Sequence, residues 1–241
     1  MIRLRGTVLS CICFFTGSAI MPHAQQPADP VRNAQVTAHL RNPPSRTPRK
    51  TEVNPPAVIW LKPVQAANIS APASGTFTLT QKNKMFMPHL LVVPVGSSVA
   101  FPNADPFFHN VFSLFDGKRF DLGLYEAGST RSVMFSREGV SYIFCNIHSD
   151  MSAVVISLTT SYYNIADANG TFHIRDVPDG DYELHIWVEG QRQTSLDHLT
   201  RRVQVTGESL DLGEIRVDSP AGPHHLNKFG KPYQDDPHPV Y

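Results

Sequence analysis

Thiols are scarce in this chain. It holds three cysteines in 241 residues, and two of them, Cys11 and Cys13, fall within the first two dozen positions. Past that segment Cys145 stands alone, so an exported form that has lost its amino terminus has no internal disulfide. Charge of one sign is missing too: 21 basic and 21 acidic residues cancel. That balance excludes a broad electrostatic pull toward nucleic acid or an anionic membrane. Beyond the amino terminus the pattern gives no long helix. G-x-S-x-G, H-E-x-x-H and phosphate-binding loops are all absent, which removes the hydrolase and nucleotide classes that carry them. What is abundant is Val, Ile, Phe, Thr and Tyr, in short runs punctuated by 20 prolines and 15 glycines. That mixture specifies many short strands.

The amino terminus reads as a secretory signal. Arg3 and Arg5 precede the apolar run "TVLSCICFFTGSAI", and Ala24 offers a small residue for cleavage. The run is short for a bilayer span, so residues 1–24 are expected to be removed on export to the periplasm. An uncleaved anchor is the alternative. With the leader gone, no stable membrane insertion is expected. Residues 25–56 are rich in proline and basic residues and read as a linker. Within it, "AQVTAHL" alternates like a strand and is able to dock on the β region beyond the linker.

From 57 the pattern is β. "AVIWL", "GTFTL", "HLLVV", "SSVAFPN", "HNVFSL", "STRSVMF", "VSYIFC" and "SAVVISL" are short strand candidates with turn residues between them. Eight such runs suggest a sandwich or barrel. The segment "FDLGLYEAGS" connects two of them and holds one possible short strand. A second β unit comes after them. Asn169-Gly170 signals a hairpin between "YYNIA" and "TFHI", Asp179-Gly180 marks a turn before "DYELHIWV", and "RRVQV" and "LGEIRV" add two more strands. Asp176, Asp179 and Asp181 read as turn acids rather than calcium ligands. Residues 218–241 form a tail containing proline and histidine.

One stretch concentrates chemistry. In "FCNIHSDM", Cys145, His148 and Met151 have a C-x2-H-x2-M spacing. A lone thiol in an exported protein is buried and inert, joined to another chain, or a ligand. Here a thiolate, an imidazole and a thioether share one loop, a soft donor set that suits copper. His109 in "NADPFFHNVFS" is the candidate fourth donor. The four together make a trigonal His2Cys site with a long axial Met, a geometry that accommodates both oxidation states. Asn110 and Asn146 neighbour two of the ligands and are candidates for hydrogen bonds that tune the site. Phe107, Phe108 and Phe144 are candidates for excluding water. Met85, Met87 and His89 in "MFMPHL" offer a second copper site as an alternative, but they read better as a strand edge, because no Cys or clustered His completes a site there.

These residues carry a resemblance. "MFMPHLLVVPVGSSVAFPNADPFFHNV" and "SYIFCNIHSDM" resemble the two ligand-bearing segments of the cupredoxins, the blue copper proteins, over about Phe86 to Leu158. The short ligand loop is similar to that of the amicyanin-like, methylamine-utilisation members, without their proline in the loop. The resemblance implies a Greek-key cupredoxin sandwich over residues 57–160, with His109, Cys145 and His148 as equatorial ligands of one type 1 copper ion and Met151 axial. Residues 161–217, through "ADANGTFHIRDVPDGDYELHIW", resemble the carboxypeptidase-regulatory or transthyretin-like sandwich, which implies an accessory unit with no particular activity. The expected fold is therefore all-β, a cupredoxin sandwich followed by a second small sandwich. The expected role is a periplasmic carrier that passes single electrons between redox protein partners. Copper storage or delivery uses the same ligands and is the alternative. A catalyst needs an open coordination position; Met151 fills it, so no enzyme activity and no nucleic-acid partner is expected.

Overall fold

The computed structural model describes residues 33–41, 54–65, 71–114 and 117–218. The leader at 1–24, most of the proline-rich linker and the tail beyond 218 lie outside the described residues. The described chain is nearly all β. Its elements begin with β1 (Asn33–Arg41), β2 (Ala57–Pro63), β3 (Thr76–Thr78), β4 (Thr80–Lys82), β5 (Met85–Met87) and β6 (Leu90–Pro94). Next come β7 (Ser97–Pro102), β8 (His109–Ser113), β9 (Phe120–Tyr125), β10 (Thr130–Phe135), β11 (Gly139–Phe144) and β12 (Ser152–Leu158). The remainder is β13 (Tyr163–Ile165), β14 (Thr171–Pro178), β15 (Gly180–Val188), the short helix α1 (Gln193–Asp197), β16 (Arg201–Val205) and β17 (Ser209–Arg216).

Four sheets and one hairpin result. The site sheet has the order β6-β12-β11-β8-β9, and a front sheet β10-β7-β3 lies across one core from it. A third sheet runs β13-β2-β15-β16 and a fourth β14-β1-β17, while β4 and β5 pair alone. Front and site sheets enclose Phe101, Val111, Phe135, Ile143, Cys145 and Val155. On β12 the side chains alternate between two interiors. Ala153 and Val155 enter that core, whereas Val154, Ile156 and Leu158 enter a second one shared with the third and fourth sheets. Successive residues of a strand point to opposite faces, so "SAVVISL" is apolar throughout because both of its faces are covered.

The same reasoning explains "AVIWL". Its place in the sequence assigns β2 to the metal-bearing sandwich as the opening strand; its hydrogen bonds go instead to β13 and β15. Ala57, Val58, Ile59 and Leu61 are all fully buried. The run lacks alternation because β2 is central in the third sheet, with apolar layers on both sides. The alternating strand inside the linker region also joins this part, antiparallel to β14 and parallel to β17. The third sheet meets the site sheet through Trp187, whose Nε1 donates to Tyr142 Oη at 3.0 Å, and through the Lys62–Glu138 ion pair at 2.7 Å.

The turn at Asn169-Gly170 exists, but it does not close a hairpin. The Asp167 carboxylate accepts the N–H groups of Asn169 and Thr171, each at 2.9 Å, and Gly170 has φ +80°. That φ strains any residue with a Cβ, which would also press on the Leu40 carbonyl oxygen at 3.2 Å, so glycine is favoured there. The flanking strands then diverge: β13 pairs with β2 and β14 with β1. The turn passes the chain from one sheet to the next. Asp179 accepts the N–H of Gly207 at 3.1 Å, a loop-bracing role in keeping with a turn acid.

Candidate metal centre

Three of the four candidate ligands are placed by strand ends, and His148 lies in the loop between two of them. His109 opens β8, Cys145 follows β11, and Met151 precedes β12. Because β11 and β12 are antiparallel partners with Phe144 opposite Ser152, residues 145–151 must fold back as a tight loop. Two main-chain bonds close it, Cys145 N–H to Met151 O and Met151 N–H to His148 O, both 3.2 Å. β8 lies beside β11, with Phe112 opposite Phe144, and this brings His109 to the loop across 36 positions of sequence.

The side chains converge. Cys145 Sγ is 3.8 Å from His109 Nδ1 and 3.7 Å from His148 Nδ1, and the three ligand atoms all lie within 4.8 Å of one another. Bonds of about 2.3 Å to sulfur and about 2.05 Å to nitrogen, at about 120°, separate S and N by about 3.8 Å. The two separations therefore match a metal ion sitting between the donors. Among the described residues this is the one cluster of His, Cys, Asp or Glu that converges in this way. His109, Cys145 and Met151 are all wholly buried, while His148 is partly exposed. The Met151 side chain is thus sealed into the same core as the thiol, and the loop bonds hold its backbone against Cys145.

Asp105, which no sequence motif singles out, holds the arrangement. Its Oδ2 accepts His109 Nε2–H at 2.8 Å and Lys84 N–H at 2.9 Å, and its Oδ1 accepts Asn83 N–H at 2.6 Å. Asn83 and Lys84 are the two central residues of the β4–β5 hairpin, with φ 54° and 56°, which turns both N–H groups toward one point. A carboxylate can only accept, so it keeps a proton on His109 Nε2 and turns Nδ1 toward the thiol. The signal available in the sequence was an acid four residues ahead of the histidine in "NADPFFHN".

The electrostatics follow from these contacts. Burial pushes the Cys145 thiol up, but hydrogen bonds from His109 and His148 and from the N–H groups of Asn110 and Ile147 outweigh it and bring the pKa to about 6. Burial pushes His109 down, and its bonds to Cys145 and Asp105 more than reverse this. Asp105 is likewise raised by burial and lowered further by the Lys84 N–H, His109 and the Asn83 N–H. In the metal-free protein, the ultraviolet absorbance of the thiolate should therefore appear with a midpoint near 6, against about 8.5 for an ordinary cysteine. Metal uptake should strengthen as pH rises through that midpoint, because the ligand form is the deprotonated one. A thiol titrating near its ordinary value would contradict this account of the loop.

The surrounding residues divide. Phe107 packs on both imidazoles, with ring centroids 5.1 Å from His109 and 5.7 Å from His148. Phe144 packs on Phe112 at 5.8 Å. Phe108, also expected as a water-excluding residue, is 44% exposed, because its neighbour Phe107 takes the inward position. Asn110 serves the thiol through its main-chain N–H, while its side-chain amide donates to Asp121 at 2.8 Å. At the second suggested site, Met85 and Met87 are exposed and both ring nitrogens of His89 are occupied by Ser152 O and Glu189. No imidazole lone pair is left there for a metal.

No protein-family model matches the chain, and no curated protein does. Solved structures overlap it in part, and copper proteins are among them. One is a Cu-containing nitrite reductase (NirK) from Thermus scotoductus SA-01, with 23% identity over 40% of this chain and 25% of that one, at a TM-score of 0.33. Another is a purple cupredoxin from Nitrosopumilus maritimus, with 23% identity over 34% of this chain and 99% of that one, at a TM-score of 0.31. A third is the Cu(I) form of an amicyanin mutant, with 20% identity over 42% of this chain and 98% of that one, at a TM-score of 0.33. The chain thus spans a quarter of the nitrite reductase's length and nearly all of the other two.

Proposed function

We propose that this chain is an exported type 1 copper protein that passes single electrons between periplasmic redox proteins. The observation that carries the reading is the convergence of His109 Nδ1, Cys145 Sγ and His148 Nδ1 at the separations a bound metal requires. The soft donor set, with Met151 buried beside it, selects copper among first-row metals. Copper held there would supply a one-electron couple. The protein's part is to keep the donors still: His109 through Asp105, Cys145 and Met151 through the loop bonds, and all of them within a core that excludes water. An unchanged donor set in both oxidation states leaves little to rearrange. His148, the one partly exposed ligand, is the exit for the electron, beside Phe107 and Phe108. Encounters with redox partners at such an edge are small and transient. In this reading the amicyanin-like copper unit carries a regulatory-type sandwich fused to its back, the leader is removed on export, and the chain is a carrier rather than an enzyme. Among the described residues, no helix is long and apolar enough to cross a membrane.

Storage or delivery of copper draws on the same ligands but needs them to open. Full burial of Cys145 and His109 favours the carrier. Voltammetry of the copper-loaded protein separates the two: the carrier gives a fast, reversible one-electron wave and releases Cu(I) slowly to a chelator. A sluggish wave with rapid Cu(I) release would overturn the carrier reading.

A further inference from the structure

His89 precedes β6 and faces two atoms that can only accept hydrogen bonds. Its Nδ1 lies 3.0 Å from the carbonyl oxygen of Ser152, and its Nε2 lies 2.5 Å from Oε1 of Glu189. A neutral imidazole has one N–H and satisfies one of these; only the imidazolium satisfies both. The two partners belong to different layers. Ser152 opens β12 in the site sheet, next to Met151, and Glu189 directly follows β15 in the third sheet. The main chain anchors each partner within its own sheet: His89 O accepts Val154 N–H at 2.8 Å, and Glu189 N–H donates to Pro56 O at 2.9 Å.

We propose that His89, held as an imidazolium, is a proton-dependent clasp that fastens the third sheet to the site sheet where the chain leaves the metal loop, and that it opens when the ring loses its proton. The clasp does not rest on the copper reading. Glu189 is the charged group that reaches the ring, and β12 contributes the Ser152 carbonyl. The hydrogen bond from Glu189 raises the His89 pKa, burial lowers it, and the Glu189 charge and the Ser152 carbonyl raise it again, for a net increase. A histidine pKa raised by folding gives stability that is complete below the unfolded value of about 6.5 and is lost as pH climbs through the folded value. The clasp is therefore shut in acid and released on the alkaline side.

The test uses the full-length, metal-free protein. The ring proton resonances of His89 are followed against pH by NMR in wild type and in Glu189→Gln, and thermal midpoints are measured across the same range in wild type and in His89→Gln. The expected results are a His89 midpoint above 6.5 in wild type that drops in Glu189→Gln, and an alkaline loss of thermal stability that His89→Gln lacks. Protection factors at Val154 and Glu189, with exchange referred to the intrinsic base-catalysed rate at each pH, should fall together above that midpoint. A wild-type His89 titrating at or below 6.5, or one unmoved by Glu189→Gln, would overturn the clasp. So would identical pH profiles of melting in wild type and His89→Gln. None of these readouts involves copper, so the copper reading and the clasp fail separately.

Discussion

Cys145→Ser is expected to abolish the intense visible band of the copper-loaded protein and to weaken copper binding by more than about 100-fold. That magnitude is a lower bound, because removing a residue that merely orients a ligand already costs about 10–100-fold. The colour of a copper–thiolate centre belongs to the sulfur, and a serine hydroxyl does not ionise in the accessible range. The fold should survive. Cys145 is a small, fully buried side chain, and serine in its place is nearly isosteric, so the core around it is little disturbed. Competition with a copper chelator, with visible and electron-spin spectra of both proteins, gives the readout. A Cys145→Ser protein that kept the visible band and the wild-type affinity would remove the thiolate from the site, and with it the proposed electron-transfer role.

The ligand loop was legible because its information is local. Cys145, His148 and Met151 share seven residues, and a loop between paired antiparallel strands can hardly keep them apart. His109 was expected for a different reason, the soft-donor logic that asks for a fourth group, and β8 lying beside β11 places it next to the loop. Asp105 was hidden because its role depends on a hairpin some twenty residues upstream, whose two N–H groups converge only after folding. Strand pairing was the other opaque quantity. The apolar run at 57–61 states that both faces are covered, but not by which sheets. Its neighbours in sequence suggested the wrong partners, since β2 pairs with strands that lie about a hundred residues away or more. The turn at Gly170 shows the same limit: the turn residue was readable, whereas the destination of each flanking strand depended on distant partners. Local chemistry and periodicity were in the chain; long-range register was not.

Asp105→Asn tests whether the metal centre is held by that hidden contact. The carboxylate of Asp105, 5% exposed, accepts from three donors, two on Oδ2 and one on Oδ1. An amide has one oxygen, so whichever way it turns, its NH2 faces an N–H donor. Either the Asn83 N–H is left without an acceptor, or the Lys84 N–H and the His109 Nε2–H are. Leaving a buried donor unsatisfied costs about 1–3 kcal/mol, and the Asn83 and Lys84 N–H groups sit only partly buried on an exposed hairpin, so the metal-free variant should lose about 1–2 kcal/mol in denaturant unfolding. Copper affinity should fall about 10–100-fold, because the His109 ring is no longer held with Nδ1 toward the sulfur. The pH dependence has a definite sign. Folding lowers the Asp105 pKa, since the N–H donors and His109 outweigh burial. Its contribution is therefore full above the ordinary carboxylate range and is lost as pH falls through the folded value. Wild type should thus converge on Asp105→Asn in strongly acidic solution and exceed it near neutrality. A variant with wild-type copper affinity and an unchanged unfolding midpoint at pH 7 would show that His109 keeps its orientation without the carboxylate, and the donor geometry would then have to be ascribed to the packing of Phe107 and the β8–β11 pairing alone.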